Sequence, residues 1–239
     1  MTETTGPTDG FEAWLARRQQ ERAAAATAGQ PPPSRRERRP VPPPRSEQMN
    51  ERRRDAISWA AETLAWERVV FLDTETTGFG PRAEIIDIGI VGADGTLLLD
   101  TLIRPEAPIP ASTSRVHGLY DDDVAGAPSW ADVYPEVHRI LTGARVVVYN
   151  APFDSGMVTT NCQRNGLVIP SAQWHCAMRK YSDFASPAPS RPGRGQPRWY
   201  KLDAAAAAFG VAPGGHRALA DADVCRRVVV GMAGSSPVV

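Results

Sequence analysis

Residues 68–92 read RVVFLDTETTGFGPRAEIIDIGIVG and contain the two most apolar strand patterns of the chain. The run at 68–73 has the β-branched density of a buried strand, and residues 84–92 repeat that pattern as a second strand. The Asp94-Gly95 turn signal then leads into a third strand over 97–103. The sequence therefore predicts that the folded part opens with an antiparallel meander of three strands.

Helical and strand patterns alternate downstream of this meander. We expect two further strands, at 145–149 and 173–176. Helices are predicted over 129–141, 152–164, 177–184, 202–209 and 218–232. This order is typical of an α/β domain whose mixed sheet is covered by helices on both faces.

The segment before this domain has a different composition. Residues 1–56 are polar and low in complexity, with two runs of three prolines and eight arginines between 35 and 54. Such a segment cannot bury enough apolar surface to offset its ordering entropy. We therefore expect a disordered Pro/Arg-rich extension over 1–56, an ordered domain over 57–233 and a disordered tail over 234–239. The extension is interpreted as a solubilising linker or as a non-specific phosphate contact.

Charge and cysteine content bear on two questions, whether the chain attracts polyanions and whether it holds a zinc or redox site. The formal net charge is +0, so attraction to a polyanion must come from local patches. The three cysteines contain no C-x-x-C pair that would suggest zinc or a redox site. Acidic and basic residues interrupt the first 30 residues, and no apolar run approaches ~18 residues. We expect a cytoplasmic protein that neither is secreted nor spans a membrane.

Two acidic side chains stand at the end of the first predicted strand. Asp73 and Glu75 are two residues apart, so the period of a strand aims both carboxylates at one face. Paired carboxylates repel each other unless a cation lies between them, and hard oxygen ligands suit Mg²⁺ or Mn²⁺. Acids that simply end a strand in solvent are the alternative interpretation.

Further polar residues follow at the carboxyl edge of the predicted sheet, where α/β proteins bind their ligands. Asp154 comes directly after the apolar strand at 145–149, in the first turn of a helix at the carboxyl edge of the sheet. His216 and Asp221 follow the flexible pair Gly214-Gly215, at the start of the last helix. The three segments together predict one acidic centre with a histidine beside it.

The motifs DTETTG (73–78), NAPFD (150–154) and HRALAD (216–221) resemble the three motifs of the DnaQ-like, DEDDh-type 3′-5′ exonucleases. The resemblance spans about residues 69–230. It implies an RNase H-like fold with a five-stranded sheet in the order 3-2-1-4-5. It also implies that the protein acts on nucleic acid. A shorter similarity around residues 174–178 is to exonuclease X and other stand-alone DNA exonucleases.

The resemblance also implies roles for individual residues. Asp73 bridges two metal ions, Glu75 and Asp221 bind mainly one of them, and Asp154 reaches the second directly or through water. His216 is then the general base that takes a proton from the attacking water. These roles agree with the chemistry of two-metal phosphodiester hydrolysis and with the ordinary pKa of histidine, about 6.5.

Substrate contacts are predicted around the same motifs. The resemblance places Thr76, Phe79, His117 and Asn150 beside the terminal nucleotide. Phe79 either stacks on the last base or belongs to the core, and His117 either holds the 3′ end or closes a turn. The loop before the last two helices adds cations and rings that suit phosphates and bases, namely Arg191, Arg194, Arg198, Trp199, Tyr200 and Lys201.

Several alternatives stay open at this point. The substrate is DNA, as single-stranded or mismatched ends, with RNA 3′-end trimming as the second possibility. A polymerase or repair protein is a possible partner, with the Pro/Arg-rich extension as its docking segment. A non-catalytic nucleic-acid-binding module would keep the fold without needing all five polar groups. A zinc hydrolase is disfavoured because the four histidines lack ligand spacing.

Overall fold

The computed structural model describes residues 45–185 and 198–236, with side chains from residue 51 onward. The predicted disorder of residues 1–44, the predicted loop at 186–197 and residues 237–239 of the predicted tail lie outside these ranges. None of the helices in the described part has the length and apolar character needed to cross a bilayer.

The described part contains five strands and eight helices. The strands are β1 Val69–Thr76, β2 Ile85–Gly92, β3 Leu97–Leu102, β4 Arg145–Val148 and β5 Gln173–Cys176. The helices are α1 Arg45–Leu64, α2 Ala111–His117, α3 Asp121–Val124, α4 Trp130–Leu141, α5 Ala151–Arg164, α6 Ala177–Ala185, α7 Leu202–Ala207 and α8 Ala218–Ala233.

The strands form a single mixed sheet in the order β3-β2-β1-β4-β5. β1 pairs antiparallel with β2 and β2 antiparallel with β3, whereas β1 pairs parallel with β4 and β4 parallel with β5. The predicted meander, the mixed sheet and the order 3-2-1-4-5 are therefore confirmed. Because β1 and β4 run parallel, their carboxyl ends meet at the same edge of the sheet.

Alternation along β1 divides the core into two layers. Val70 and Leu72 pack into one cluster with α4 and α5, whereas Val69 and Phe71 pack into a second cluster with α1, α6, α7 and α8. Both faces of the sheet are thus covered, as an α/β domain with buried strands requires. β1, buried on both sides, lies at the centre of the molecule.

The first helix corrects one expectation. α1 begins at Arg45, so the predicted start of ordered structure at Ile57 is too late. Ala56 and Ala60, one helical turn apart, are fully buried, and the helix packs against α6 and α8. Small alanines among charged residues add little to a hydrophobic pattern, which explains why the sequence did not reveal this helix. α2 and α3 were also missed, because prolines at 105, 108 and 110 suggest a loop.

Candidate active site

The acidic pair lies near the end of β1, opposite the antiparallel neighbour β2. In the strand register Asp73 faces Gly89 and Glu75 faces Asp87. Both acidic residues are half-buried at the carboxyl edge, where β1 and β4 also end. The expected common face of these carboxylates therefore lies against the layer that contains α8.

Asp154 reaches the same edge from the opposite layer. It lies in the first turn of α5, where Pro152 fits because the first helical amides have no partner within the helix. The side chain is 3% exposed, and its Oδ1 accepts a hydrogen bond of 2.8 Å from the hydroxyl of Thr74 on β1. Thr74 thus fixes the Asp154 carboxylate against the strand that carries the acidic pair.

The third segment comes from the start of α8. Gly214 lies so close to Asp221 that a Cβ at this glycine would be 2.0 Å from the Asp221 Oδ1. His216 follows with a φ of 58°, in the left-handed region. Possible ligand atoms of Glu75, His216 and Asp221 all lie within 4.8 Å of one another. The glycine turn therefore brings the exposed imidazole close to Glu75 and Asp221.

The carboxylates share one electrostatic environment. Burial raises the pKa of Asp73 well above its ordinary value, and the carboxylates of Asp154, Glu75 and Asp221 raise it further. Burial, followed by the charges of Asp221, Asp87 and Asp154, raises the pKa of Glu75 to about 8. Asp73 and Glu75 therefore each lie within electrostatic reach of both Asp154 and Asp221.

Burial also raises the pKa of the other two acids, Asp154 and Asp221. Burial raises the pKa of Asp154 to about 7, although the Thr74 hydroxyl opposes this effect. Burial also raises the pKa of Asp221, whereas His216 lowers it. Four desolvated carboxylates with so little positive charge around them need either protons or cations. Their hard oxygen atoms fit Mg²⁺ or Mn²⁺.

Asp87 is a site residue that the sequence analysis missed. It is 1% exposed on β2, and its Oδ2 accepts hydrogen bonds from Arg217 Nε at 2.9 Å and from the Ala218 amide at 3.3 Å. These bonds hold the two residues that directly follow His216. The available signal was an acid inside the otherwise apolar run IIDIGIV of residues 85–91.

The predicted substrate residues occupy different environments. Phe79 is 88% exposed, so the core interpretation is wrong, and its ring centre lies 5.6 Å from that of Phe153 on α5. Thr76 is buried, and its hydroxyl donates to the Gly78 carbonyl at 2.8 Å. Asn150 is exposed at the N-cap of α5, and its side chain makes no capping hydrogen bond. The exposed ring of Phe79 therefore lies beside the partly buried ring of Phe153, the residue that directly precedes Asp154.

His117 has features of both interpretations offered for it. It is buried, and its Nδ1 accepts a hydrogen bond of 3.1 Å from the Leu119 amide, which closes the turn after α2. Burial lowers the pKa of His117, and the nearby His216 lowers it further. The side chain thus has a structural hydrogen bond and also lies near the imidazole of the site.

The predicted cationic loop is described only in part. Arg191 and Arg194 lie outside the described residues. The Arg198 guanidinium lies 5.2 Å from the centre of the Tyr200 ring, and the Tyr149 hydroxyl donates to the Tyr200 carbonyl at 3.0 Å. Trp199 is exposed, as is Lys201, which stands at the N-cap of α7. This end of the loop is therefore tied to the residue that follows β4.

Comparisons with known proteins agree with this geometry. A family model described as an exonuclease matches residues 70–229. The exonuclease CP81 of Escherichia phage 186 is 36% identical over 174 residues, which cover 69% of this chain and 88% of the phage protein. The DNA polymerase III subunit epsilon of Treponema pallidum is 29% identical, over 70% of this chain and 77% of that subunit.

One further relative is similar to this chain over only a small part of its own sequence. The DNA polymerase III subunit epsilon-like protein of Rhodobacter capsulatus is 42% identical over 92 residues, which are 36% of this chain and 13% of that protein. Among solved structures, the nuclease domain of 3′hExo, a DEDDh family member bound to rAMP, has a similar fold. Its TM-score is 0.55 at 19% identity, over 69% of this chain and 90% of that domain. Because the family match spans the sheet and all three motifs, the chain belongs to the DnaQ-like exonuclease family.

Proposed function

We propose that this protein is a 3′-5′ exonuclease of the DEDDh type that releases nucleoside monophosphates from DNA ends. The observation that carries the proposal is the cluster of Asp73, Glu75, Asp154 and Asp221, which come from three segments. The charges of Asp154 and Asp221 raise the pKa of both Asp73 and Glu75. His216 lies beside this cluster and supplies the fifth group of the family pattern.

The four carboxylates would hold two divalent cations, Mg²⁺ or Mn²⁺. When bound, such ions stabilise negative charge on the phosphate and on the leaving 3′ oxygen. Thr74 keeps the Asp154 carboxylate in position for this task. Protons and cations compete for the same oxygen atoms, so ion binding at neutral pH would release protons from these acids.

His216 acts as the general base in this proposal. Its imidazole is exposed and lies close to Glu75 and Asp221, so it can accept a proton from an attacking water at neutral pH. The exposed ring of Phe79, next to Phe153, supplies a surface on which the terminal base can stack. Asn150 and His117 are the polar groups that we assign to the terminal nucleotide.

DNA is proposed as the substrate because the Treponema and Rhodobacter relatives are named as DNA polymerase III subunits. The same names make a polymerase the first partner to test, by copurification with the full chain. The phage relative is named simply as an exonuclease, so the activity of this protein is first measured without a partner.

Digestion of 5′-labelled substrates tests the proposal. Single-stranded DNA, duplex DNA and RNA are incubated with the protein and Mg²⁺, Mn²⁺ or EDTA, beside an Asp73→Asn variant. We expect a descending ladder on DNA that requires a metal ion and is absent from the variant. Internal cuts, or activity that persists in EDTA, would contradict the mechanism. A ladder confined to RNA would instead establish RNA trimming.

A further inference from the structure

A groove of about 380 Å³ borders the first turn of α5, the turn that carries Asp154, and has no part in the proposed chemistry. We call it the tryptophan groove. Its lining includes Trp59 from α1, Trp174 from β5, Arg179 and Lys180 from α6, and Pro152 and Ser155 from α5. Three helices and one strand therefore meet at one concave surface.

The chemistry of the groove suits a polyanion that carries flat rings. Arg179 and Lys180 contribute two positive charges, and no carboxylate is among the lining residues. Neither cation forms an ion pair with any residue in the described ranges. Trp59 and Trp174 are half-buried, and the Lys180 Nζ lies 5.7 Å from the centre of the Trp59 ring. Phosphates bind such cations, and unpaired bases stack on such rings.

The position of the groove connects it with the active site. Pro152 and Ser155 flank Asp154 within a single turn of α5, so one helical turn borders both the groove and the acidic cluster. Trp59 belongs to α1, which precedes the matched region 70–229. Trp59 is thus the one lining residue that comes from outside the matched exonuclease region, and it adds a ring to a groove whose other residues lie within that region.

We propose that the tryptophan groove binds the single-stranded segment of the substrate that lies 5′ to the scissile phosphodiester. This proposal rests on the proposed function and deepens it, because it names the substrate class as ends with an unpaired segment. The bases would stack on Trp59 and Trp174 while Arg179 and Lys180 contact phosphates. A strand held in this way favours long substrates over a dinucleotide that cannot reach the groove.

The test compares kcat/KM for a single strand of about 16 nucleotides with that for a dinucleotide, both 5′-labelled and in Mn²⁺. The variant is Arg179→Ala with Lys180→Ala. Its matched control, Arg68→Ala with Arg139→Ala, removes the same charge from the cavity at the other end of the sheet. We expect the advantage of the long strand to fall about tenfold in the groove variant only. The slope of log KM against log salt should become shallower by about 1.4, the value for two lost phosphate contacts.

Trp59 gives a second measurement that does not depend on charge. Trp59→Ala should reduce the long-strand advantage about tenfold, whereas Trp59→Phe should retain most of it because a ring remains. An unchanged length preference and salt slope in Arg179→Ala/Lys180→Ala would overturn this inference while leaving the exonuclease intact. If the wild-type protein degrades neither substrate, the proposed function itself fails.

Discussion

His216 combines exposure with a backbone conformation that non-glycine residues seldom adopt. It is the one non-glycine residue with positive φ in the ranges that the structure describes. A side chain in this region costs about 1 kcal/mol, and asparagine tolerates it better than alanine does. The surrounding contacts, rather than local preference, therefore keep the imidazole beside Glu75 and Asp221.

Removing this imidazole should affect rate more than metal binding. We expect His216→Asn, which still suits the left-handed backbone, to lower kcat on the order of 10²-fold or more, as loss of a general base does. The Mn²⁺ affinity, measured by calorimetry, should stay close to that of the wild type. His138→Asn on α4 serves as the control. Wild-type turnover of His216→Asn at neutral pH would contradict the assigned role.

A different effect is expected for Asp87, because it holds the residues that follow His216 and is not one of the proposed metal ligands. Asp87→Asn removes the charged hydrogen bond to Arg217, so the free energy of unfolding should fall by about 1–2 kcal/mol. We also expect kcat to fall about tenfold, because the residues that follow His216 lose their anchor. Asp100→Asn, an exposed acid on β3, is the matched control in denaturant titrations and rate measurements. Equal losses in both variants would remove the special role of Asp87.

The sequence predicted the acidic residues and the histidine of the site, but not the ion pair that holds the histidine segment in place. Asp73, Glu75, Asp154, His216 and Asp221 were predicted because short motifs with fixed spacing carry them. The ion pair between Asp87 and Arg217 joins positions 130 residues apart, and no local pattern records such a pairing. The exposure of Phe79 likewise depends on how its loop leaves the sheet.

Among the elements, β2 and α8 come into unusually close contact. A Cβ placed on Gly89 would lie 2.2 Å from the Leu219 Cα and amide nitrogen, so only a glycine in β2 allows the last helix to lie there. Leu219 lies between His216 and Asp221. The depth at which α8 packs therefore determines where two of the five site residues lie.

Gly89→Ala should consequently damage both stability and activity. Backbone cannot move aside as a flexible side chain can, so we expect a loss of about 3 kcal/mol or more in the free energy of unfolding. Gly156, inside α5, has open space around the corresponding Cβ. Gly156→Ala should raise stability by about 0.5–1 kcal/mol. Denaturant titration of both variants checks the contrast, and equal stability of Gly89→Ala and wild type would contradict it.

The elements themselves were predicted to different degrees. Strands with β-branched runs and helices with a clear apolar period were predicted within a few residues of their bounds. α1 was not predicted, because its buried face includes small alanines whose limited surface gives a weak hydrophobic pattern. The order of strands came from the family resemblance, since periodicity does not fix which strands become neighbours.

For the whole molecule, the acidic cluster links folding to pH. Glu75 titrates at about 8 and Asp154 at about 7 in the folded protein. In the unfolded chain both titrate near ~4. The folded state thus binds protons that the unfolded state has released. Without metal, this contribution to the free energy of unfolding therefore falls as the pH rises from about 4 towards about 8.

The buried histidines do not add to this change. Burial lowers the pKa of His117 and His175, so above pH ~6.5 both imidazoles stay largely neutral.

Thermal unfolding between pH 6.5 and 8.5 measures this effect. In EDTA we expect the Tm at pH 8.5 to lie about 3 °C or more below that at pH 6.5. Mn²⁺ should remove most of the difference, because bound cations replace the protons. Glu75→Gln should flatten the slope in EDTA. A Tm in EDTA that stays constant or rises over this interval would contradict the assigned pKa shifts.

The arrangement of α8 also affects when the protein becomes active during synthesis. Asp73, Glu75 and Asp154 are translated early, whereas His216 and Asp221 arrive with the final helix. A ribosome that has finished the whole sheet has therefore not yet produced a working nuclease. A chain that stops at Gly210 lacks both of these residues, so it should fail to degrade DNA with either ion.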